Sequence, residues 1–155
     1  MRRYILISDS DVLLKFFDED WRQVRQSENQ RTAFSNIILL IASAIFGYLT
    51  QHSLTVGMLP LTLLLFGLGL YGGIASEKLY ERSKLHMELA WAWRDRLNEL
   101  HPNLQIDRLK KEAEAINHRR FPRLHRLHLH HVWLALDLSI ALAGLVLTLF
   151  VVFGY

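Results

Sequence analysis

The most prominent pattern in the chain is the separation of apolar and charged residues into long blocks. No Asp, Glu, Lys or Arg occurs in the 45 residues between Arg31 and Glu77, and the last 18 residues, from Leu138, also lack charge. A bilayer core requires about 20 apolar residues per helix. The first block therefore predicts two membrane spans, and the second block, extended back to Val132, predicts a third.

Backbone groups in lipid must form hydrogen bonds within their own segment, so these spans are predicted to be helices. We place them near residues 32–50, 55–76 and 132–153, with a polar turn at residues 51–53 between the first two. The predicted fold class is all-α, an integral membrane protein with three transmembrane helices.

Amphipathic segments adjoin the spans and predict a cytoplasmic helical bundle built from their extensions. A helix starting at Ser10 and Asp11 is expected to run into the first span, and the second span is expected to continue as a helix to Leu100 because residues 77–100 contain no Gly or Pro. The sequence His101-Pro102-Asn103 ends that helix. The predicted apolar stripes are Leu13, Phe17, Trp21 and Val24 on the first helix, and Leu85, Leu89, Trp93, Leu97 and Leu100 on the second.

A further amphipathic helix is predicted after the Pro102 break. Its apolar positions begin at Leu104 and include Leu109 and Ile116, and Phe121-Pro122 ends it. Pro122 is expected in the first turn of the next helix, which leads into the third span. The predicted organisation is an N-terminal amphipathic helix at 1–31, a transmembrane hairpin at 32–76, a cytoplasmic module at 77–131 and a third span at 132–155.

Basic residues indicate the orientation. All 18 Lys and Arg residues lie in 1–31 or 77–131, and none lies in the hairpin turn or the C-terminal segment. For a protein of the inner or plasma membrane, the positive-inside rule then predicts a cytoplasmic N-terminus and an external C-terminus. The first span is expected to act as an uncleaved insertion signal.

Residue types give no indication of catalysis. The chain has no cysteine, which excludes thiolate chemistry and Cys-based zinc sites, and it contains no Gly-rich phosphate loop or nucleophile elbow. We expect a protein that is not an enzyme and that holds neither a cofactor nor a metal.

The segment at residues 117–131 contains four Arg and five His. It is interpreted either as an interfacial patch that sets topology and contacts lipid head groups, or as a pocket for a phosphate-bearing ligand, because Arg forks suit phosphate. A metal site is disfavoured because no carboxylate accompanies the histidines. The predicted ligand-binding residues are His118, Arg119, Arg120, Arg123, His125, Arg126 and His128.

Asp137 is an ionisable residue inside a predicted span, where charge is costly and usually faces an interior or a wet cavity. Asn36 lies at a similar shallow depth, and with Tyr71 and Asp137 it predicts a polar layer that would form an acidic ring in an oligomer. The alternative is that Asp137 reaches the interface and pairs with His131 or Arg126.

Small residues four apart can bring helices close together, within one chain or between copies. The predicted packing residues are Gly69 with Gly73 and Ser43 with Gly47. Three spans are too few to enclose a pathway alone, so a homo-oligomer surrounded by membrane lipids is expected, with a tetramer as one candidate size.

Two stretches carry a family resemblance: Trp21-Arg-Gln-Val-Arg-Gln-Ser-Glu-Asn-Gln-Arg-Thr before the first span, and Ser76-Glu-Lys-Leu-Tyr-Glu-Arg-Ser-Lys-Leu-His after the second. With the tight hairpin between them, they resemble the SLATT-like small membrane proteins of bacterial conflict systems, whose related effectors include Hailong-type pairs with a nucleotidyltransferase. The third span departs from the two-span pattern.

The resemblance implies a pore-forming antiphage effector that depolarises the membrane, gated by a nucleotide or oligonucleotide from a neighbouring nucleotidyltransferase. The expected function is thus an oligomeric, ligand-gated, ion-conducting membrane effector. A non-conducting membrane anchor or scaffold that recruits a cytoplasmic partner enzyme is the alternative.

Overall fold

The structure is a computed structural model that describes residues 8–122 and 128–154. The described residues form four α-helices and contain no strand: α1 at Asp9–Leu49, α2 at Leu59–Leu100, α3 at Ile106–Arg120 and α4 at Leu129–Phe153. Short 3-10 turns at Val56–Met58 and Pro102–Leu104 precede α2 and α3. The all-helical prediction is confirmed for these residues.

Three of the helices, α1, α2 and α4, are long and apolar enough to cross a membrane. Helix α1 has 41 residues and α2 has 42, so each continues without a break from its apolar half into its charged half. Because Pro102 disfavours a helical residue before it, α2 ends at Leu100. Helix α3 ends at Arg120, immediately before Phe121-Pro122.

Helix α4 does not extend back to Pro122, contrary to the sequence prediction. It lies in a turn, and His128 has an extended backbone that precedes the first residue of α4, Leu129. The predicted helical residues Leu124 and Leu127 lie outside the described residues.

The chain divides into two compact units. Unit 1 comprises Met1–Ser27 and Glu81–Leu127, and unit 2 comprises Glu28–Tyr80 and His128–Tyr155. Unit 2 therefore contains the apolar halves of α1 and α2 together with α4, and unit 1 contains the charged halves together with α3.

The core of unit 2 follows a three- and four-residue spacing on each helix, as in a coiled coil. Its apolar cluster is Ile38, Ala42, Ile45 and Leu49 from α1, Leu65 from α2 and Ile140 from α4. Small residues line the α2 and α4 surfaces, where a Cβ on Gly69 would overlap the Ala141 backbone and a Cβ on Gly144 would overlap the Phe66 backbone. These glycines thus allow close backbone packing of α2 on α4.

Unit 1 also has an inward face with seven-residue spacing, but it differs from the predicted stripe. On α2 the buried residues are Ser83, Ala90 and Leu97. Leu85 is exposed, as are Leu89 and Leu100, so three of the five predicted stripe residues lie outside the core. Hydropathy favoured the larger side chains, whereas two of the three buried residues, Ser83 and Ala90, are small.

Ser8 caps the N-terminus of α1, two residues before Ser10, where the sequence predicts the helix to start. The Ser8 hydroxyl and backbone nitrogen donate hydrogen bonds to the Asp11 carboxylate at 2.9 and 3.1 Å, and the Asp11 nitrogen donates back to the Ser8 hydroxyl at 3.2 Å. This reciprocal arrangement is a capping box. The hydrogen bonds from Ser8 hold the pKa of Asp11 below its usual value.

A pH effect on this turn follows. Because the folded pKa of Asp11 is lowered, its contribution is present above the unfolded pKa of about 4 and is lost as the pH falls through the folded value. We expect amide exchange in the first turn of α1, corrected for its intrinsic pH dependence, to accelerate over that range. Asp11→Asn should remove this dependence, whereas Asp9→Asn in the same turn should retain it; equal profiles for the two variants would contradict the assignment.

Candidate functional site

The predicted ligand-binding segment is divided between the two units. His118, Arg119 and Arg120 are exposed at the end of α3, where the Arg120 guanidinium lies 5.8 Å from the Phe121 ring centroid. His128 is exposed in unit 2, with its ring 5.4 Å from that of His131. The predicted members Arg123, His125 and Arg126 lie outside the described residues. An anion pocket in this segment stays a prediction.

The predicted polar layer contains residues in two different environments. Asn36 and Tyr71 are exposed on the outside of unit 2, and the Tyr71 ring contacts Phe34 edge-on. Asp137 is only 1% exposed. Within one chain Asp137 therefore faces the core, away from the surface that a neighbouring copy could reach, and an acidic ring stays a prediction.

The small residues also separate into two groups. Gly69 and Gly73 are buried, and a Cβ on Gly73 would contact Leu134 at 3.6 Å, so this pair faces α4 of the same chain. Ser43 is exposed, and a Cβ on Gly47 would meet nothing within 4 Å. Of these two predicted pairs, Ser43 with Gly47 is the one that does not pack on another helix of the described chain.

Asp137 is held between α1 and α2. A Cβ on Gly72 would lie 2.7 Å from the Asp137 Oδ1 atom and 2.8 Å from the Ile38 side chain, so both side chains occupy the space that this glycine leaves. The Asp137 Oδ2 atom is buried and has no hydrogen-bond partner among the described residues. A buried carboxylate that lacks a partner is costly when ionised.

Other buried polar side chains lie toward the charged end of unit 2. Ser35 and Ser76 are each 3% exposed, Arg31 is 4% exposed and His130 is 7% exposed. In unit 2, besides Asp137 Oδ2, the buried side-chain atoms without a partner among the described residues are Arg31 Nε, Ser76 Oγ, His130 Nδ1 and Trp133 Nε1. These buried polar groups are together called the polar column below: Arg31, Ser35, Ser76, His130, Trp133 and Asp137.

Helix register orders the polar column. Ser35 precedes Ile38 by three residues on α1, Ser76 follows Gly72 by four on α2, and Trp133 precedes Asp137 by four on α4. Ser35, Ser76 and Trp133 thus lie about one helical turn, or roughly 5 Å, closer to the charged end of unit 2 than the level at which Asp137 meets Ile38 and Gly72. Arg31 and His130 are about one further turn away, since each is seven residues from the Asp137 level.

His130 marks the outer end of the polar column. Its Nε2 lies 2.9 Å from a Glu77 carboxylate oxygen, and its ring stacks on Tyr80 with centroids 3.9 Å apart. At the same end Arg31 pairs with Glu28 at 2.6 Å. The side chains of Glu77 and Glu28 are half-exposed, 52% and 43% respectively, so this end of the polar column is accessible to solvent.

Comparisons with protein-family models, with curated proteins and with solved structures found no match to this chain. No family is assigned. The resemblance to SLATT-like proteins accordingly stays a hypothesis that rests on the two sequence stretches quoted for it.

Unit 1 contains a separate buried carboxylate that the sequence analysis missed. Asp20 is 9% exposed, and it accepts a hydrogen bond from Trp93 Nε1 at 2.7 Å and contacts His86 Nδ1 at 2.8 Å. The Phe16 ring stacks on Trp93 with a centroid distance of 5.4 Å. The spacing of Phe17, Asp20 and Val24 could have indicated that Asp20 lies on the inward face.

Sequence analysis also missed Arg31, Ser76, Glu77 and His130. Arg31 and Glu77 were treated only as boundaries of the uncharged block and as members of the resemblance stretches, because hydropathy does not indicate which residues on different helices share a face.

Proposed function

We propose that this chain is a bacterial inner membrane effector whose oligomers conduct ions, with unit 1 in the cytoplasm as the regulatory part. The observation that carries this proposal is the continuity of α1 and α2, each of which belongs to both units as one unbroken helix. A change at the charged half of a continuous helix can be transmitted to its apolar half without a flexible linker.

Packing within unit 2 supports conduction between copies. The three apolar helices of one chain pack around a core that includes Ile38, Ile45 and Leu65. An ion pathway would therefore form where several copies meet. The exposed face with Ser43 and Gly47 has the small side chains that close helix contacts in membranes favour.

Regulation in this proposal uses the basic residues of α3. His118, Arg119 and Arg120 are exposed and could bind a phosphate-bearing ligand, such as a nucleotide or a lipid head group. The antiphage role and the nucleotide signal from a neighbouring nucleotidyltransferase come from the family resemblance alone. The orientation rests on the distribution of Lys and Arg.

Ion flux from vesicles tests the proposal. Purified full-length chain in phosphatidylethanolamine and phosphatidylglycerol vesicles loaded with KCl is expected to release K⁺ faster than empty vesicles do, and ATP or a short oligonucleotide is expected to change that rate. In an Arg119→Glu/Arg120→Glu variant the ligand response should be lost, while Lys111→Glu on the same helix should retain it. No flux at any pH or with any of these ligands would overturn the proposal.

A second candidate function is a non-conducting anchor that recruits a cytoplasmic protein. It is favoured by α3, which has no buried residue and exposes Leu109 and Ile116 at 57% and 58%. An absence of flux, together with a complex of fixed stoichiometry that Leu109→Lys disrupts, would favour this function.

A further inference from the structure

Asp137 lies where the polar part of unit 2 meets its apolar part. Toward the charged end, the buried residues on the three helices include Ser35, Ser76 and His130. Beyond Asp137, the buried residues on α4 are Ile140, Ala141, Gly144 and Val151. The polar column is therefore closed at its inner end, where Asp137 lies.

The half of unit 2 beyond Asp137 offers no comparable path. Gly69 packs on the Ala141 backbone and Gly144 packs on the Phe66 backbone, so no side chain separates α2 from α4 at these levels. The buried Thr62 hydroxyl donates to the Leu59 carbonyl oxygen at 3.1 Å and is thus satisfied within its own helix. Polar groups can therefore solvate Asp137 from one side only.

We propose that Asp137 is a proton-binding site reached from the Glu77 and His130 end of unit 2 through the polar column and closed toward the opposite end. This inference goes beyond ion conduction, because Asp137 can exchange a proton whether or not the assembled protein conducts. The carboxyl binds the proton in its neutral form, and hydration along the column carries protons between Asp137 and the charged end.

The chemistry of the column favours a proton over a metal cation. The unpartnered atoms of Arg31 and Trp133 are N–H groups, which donate hydrogen bonds and cannot coordinate a cation. No group of three or more His, Asp or Glu side chains in the described residues is placed to hold a metal ion. The five unpartnered atoms instead suit water molecules, each of which binds several polar groups.

The groups around Asp137 favour the neutral carboxyl. Its direct neighbours from α1 and α2 are Ile38 and Gly72, which carry no charge. The charged and titratable groups on the column side include Arg31 and Glu28 on α1, Glu77 and Tyr80 on α2 and His130 on α4. Arg31 pairs with Glu28 and His130 contacts Glu77, so these described contacts do not pair Arg31 or His130 with Asp137.

Carbodiimide labelling tests the proton site, because the apolar reagent dicyclohexylcarbodiimide modifies protonated carboxyl groups in membrane interiors. In vesicles of phosphatidylethanolamine and phosphatidylglycerol near neutral pH, we expect Asp137 to be labelled at least about tenfold more than the half-exposed Glu77, as read by peptide mass spectrometry. Labelling at residue 137 should decrease as the pH rises and disappear in Asp137→Asn. Failure to label Asp137 at any pH, or protection by Na⁺ at constant pH, would overturn the proposal.

Access through the column is tested with Asp137 left intact. The carboxyl C=O stretch assigned by Asp137→Asn should shift on transfer to D₂O, and Ser76→Val should slow this exchange about tenfold or more by removing a polar group from the path. Thr148→Val is the matched control, because Thr148 lies beyond Asp137 and its hydroxyl donates to the Gly144 carbonyl oxygen at 2.8 Å. Equal exchange rates in the two variants would exclude the column as the route. Neither result depends on whether the protein conducts ions, so the proton site and the proposed conduction can fail separately.

Discussion

Replacing Asp20 with alanine is expected to destabilise unit 1 by about 1–3 kcal/mol, because two partly buried partners lose their shared acceptor. Trp93 Nε1 would be left without the carboxylate oxygen that it contacts at 2.7 Å, and His86 Nδ1 would lose its contact at 2.8 Å. The carboxylate thus joins two positions of α2 to one position of α1.

Amide hydrogen exchange of the full chain in detergent measures this effect, with faster exchange expected in residues 9–27 and 81–100. Asp18→Ala is the matched control, because Asp18 is exposed and only two residues away. Asp20→Asn should cost less than Asp20→Ala, since an amide oxygen still accepts from Trp93. Equal exchange in the Asp20→Ala and Asp18→Ala variants would show that the carboxylate does not stabilise unit 1.

Replacing Gly69 with alanine is expected to destabilise unit 2 by about 1–3 kcal/mol through overpacking. The added Cβ would overlap the Ala141 backbone and lie 2.7 Å from the Asp137 carbonyl oxygen. Backbone atoms cannot move aside as a flexible side chain can, so α2 and α4 must separate along their contact. Gly144→Ala should have a similar effect because its Cβ would overlap the Phe66 backbone.

Gly67→Ala is the matched control for Gly69→Ala. Gly67 lies two residues away on the same helix, and a Cβ there would meet nothing within 4 Å. Alanine should be neutral at this position or should stabilise the helix by up to about 1 kcal/mol, the difference in helix propensity. Thermal unfolding of the detergent-solubilised variants measures both. A Gly67→Ala variant that is as unstable as Gly69→Ala would contradict close α2–α4 packing.

The helices were predictable because their causes are local. Long uncharged blocks bounded by Arg31 and Glu77 indicated the spans, and Pro102 and Pro122 indicated where helices end. The continuity of α1 and α2 was also predictable, because no Gly or Pro interrupts residues 9–46 or 74–100. The start of α4 was not, because Pro122 is compatible both with a helix start and with the turn that forms.

The candidate site was only partly predictable. Asp137 was recognisable as an unusual ionisable residue in an apolar block, but its neighbours were not. Grouping it with Asn36 and Tyr71 relied on similar depth in the membrane, and depth does not specify which face of a helix a residue occupies. The residues that do lie toward it, such as Ser76 and His130, are distant in sequence and carry no motif.

The sequence alone thus determined the helical class, the three apolar helices and most of their ends, because these depend on backbone hydrogen bonds within a segment and on hydropathy summed over about 20 residues. Tertiary packing decided which faces are buried. It placed Asp137 against Gly72, exposed Leu85 and buried Asp20, because helix contacts depend on side-chain size across two or three helices and not on the hydropathy of one.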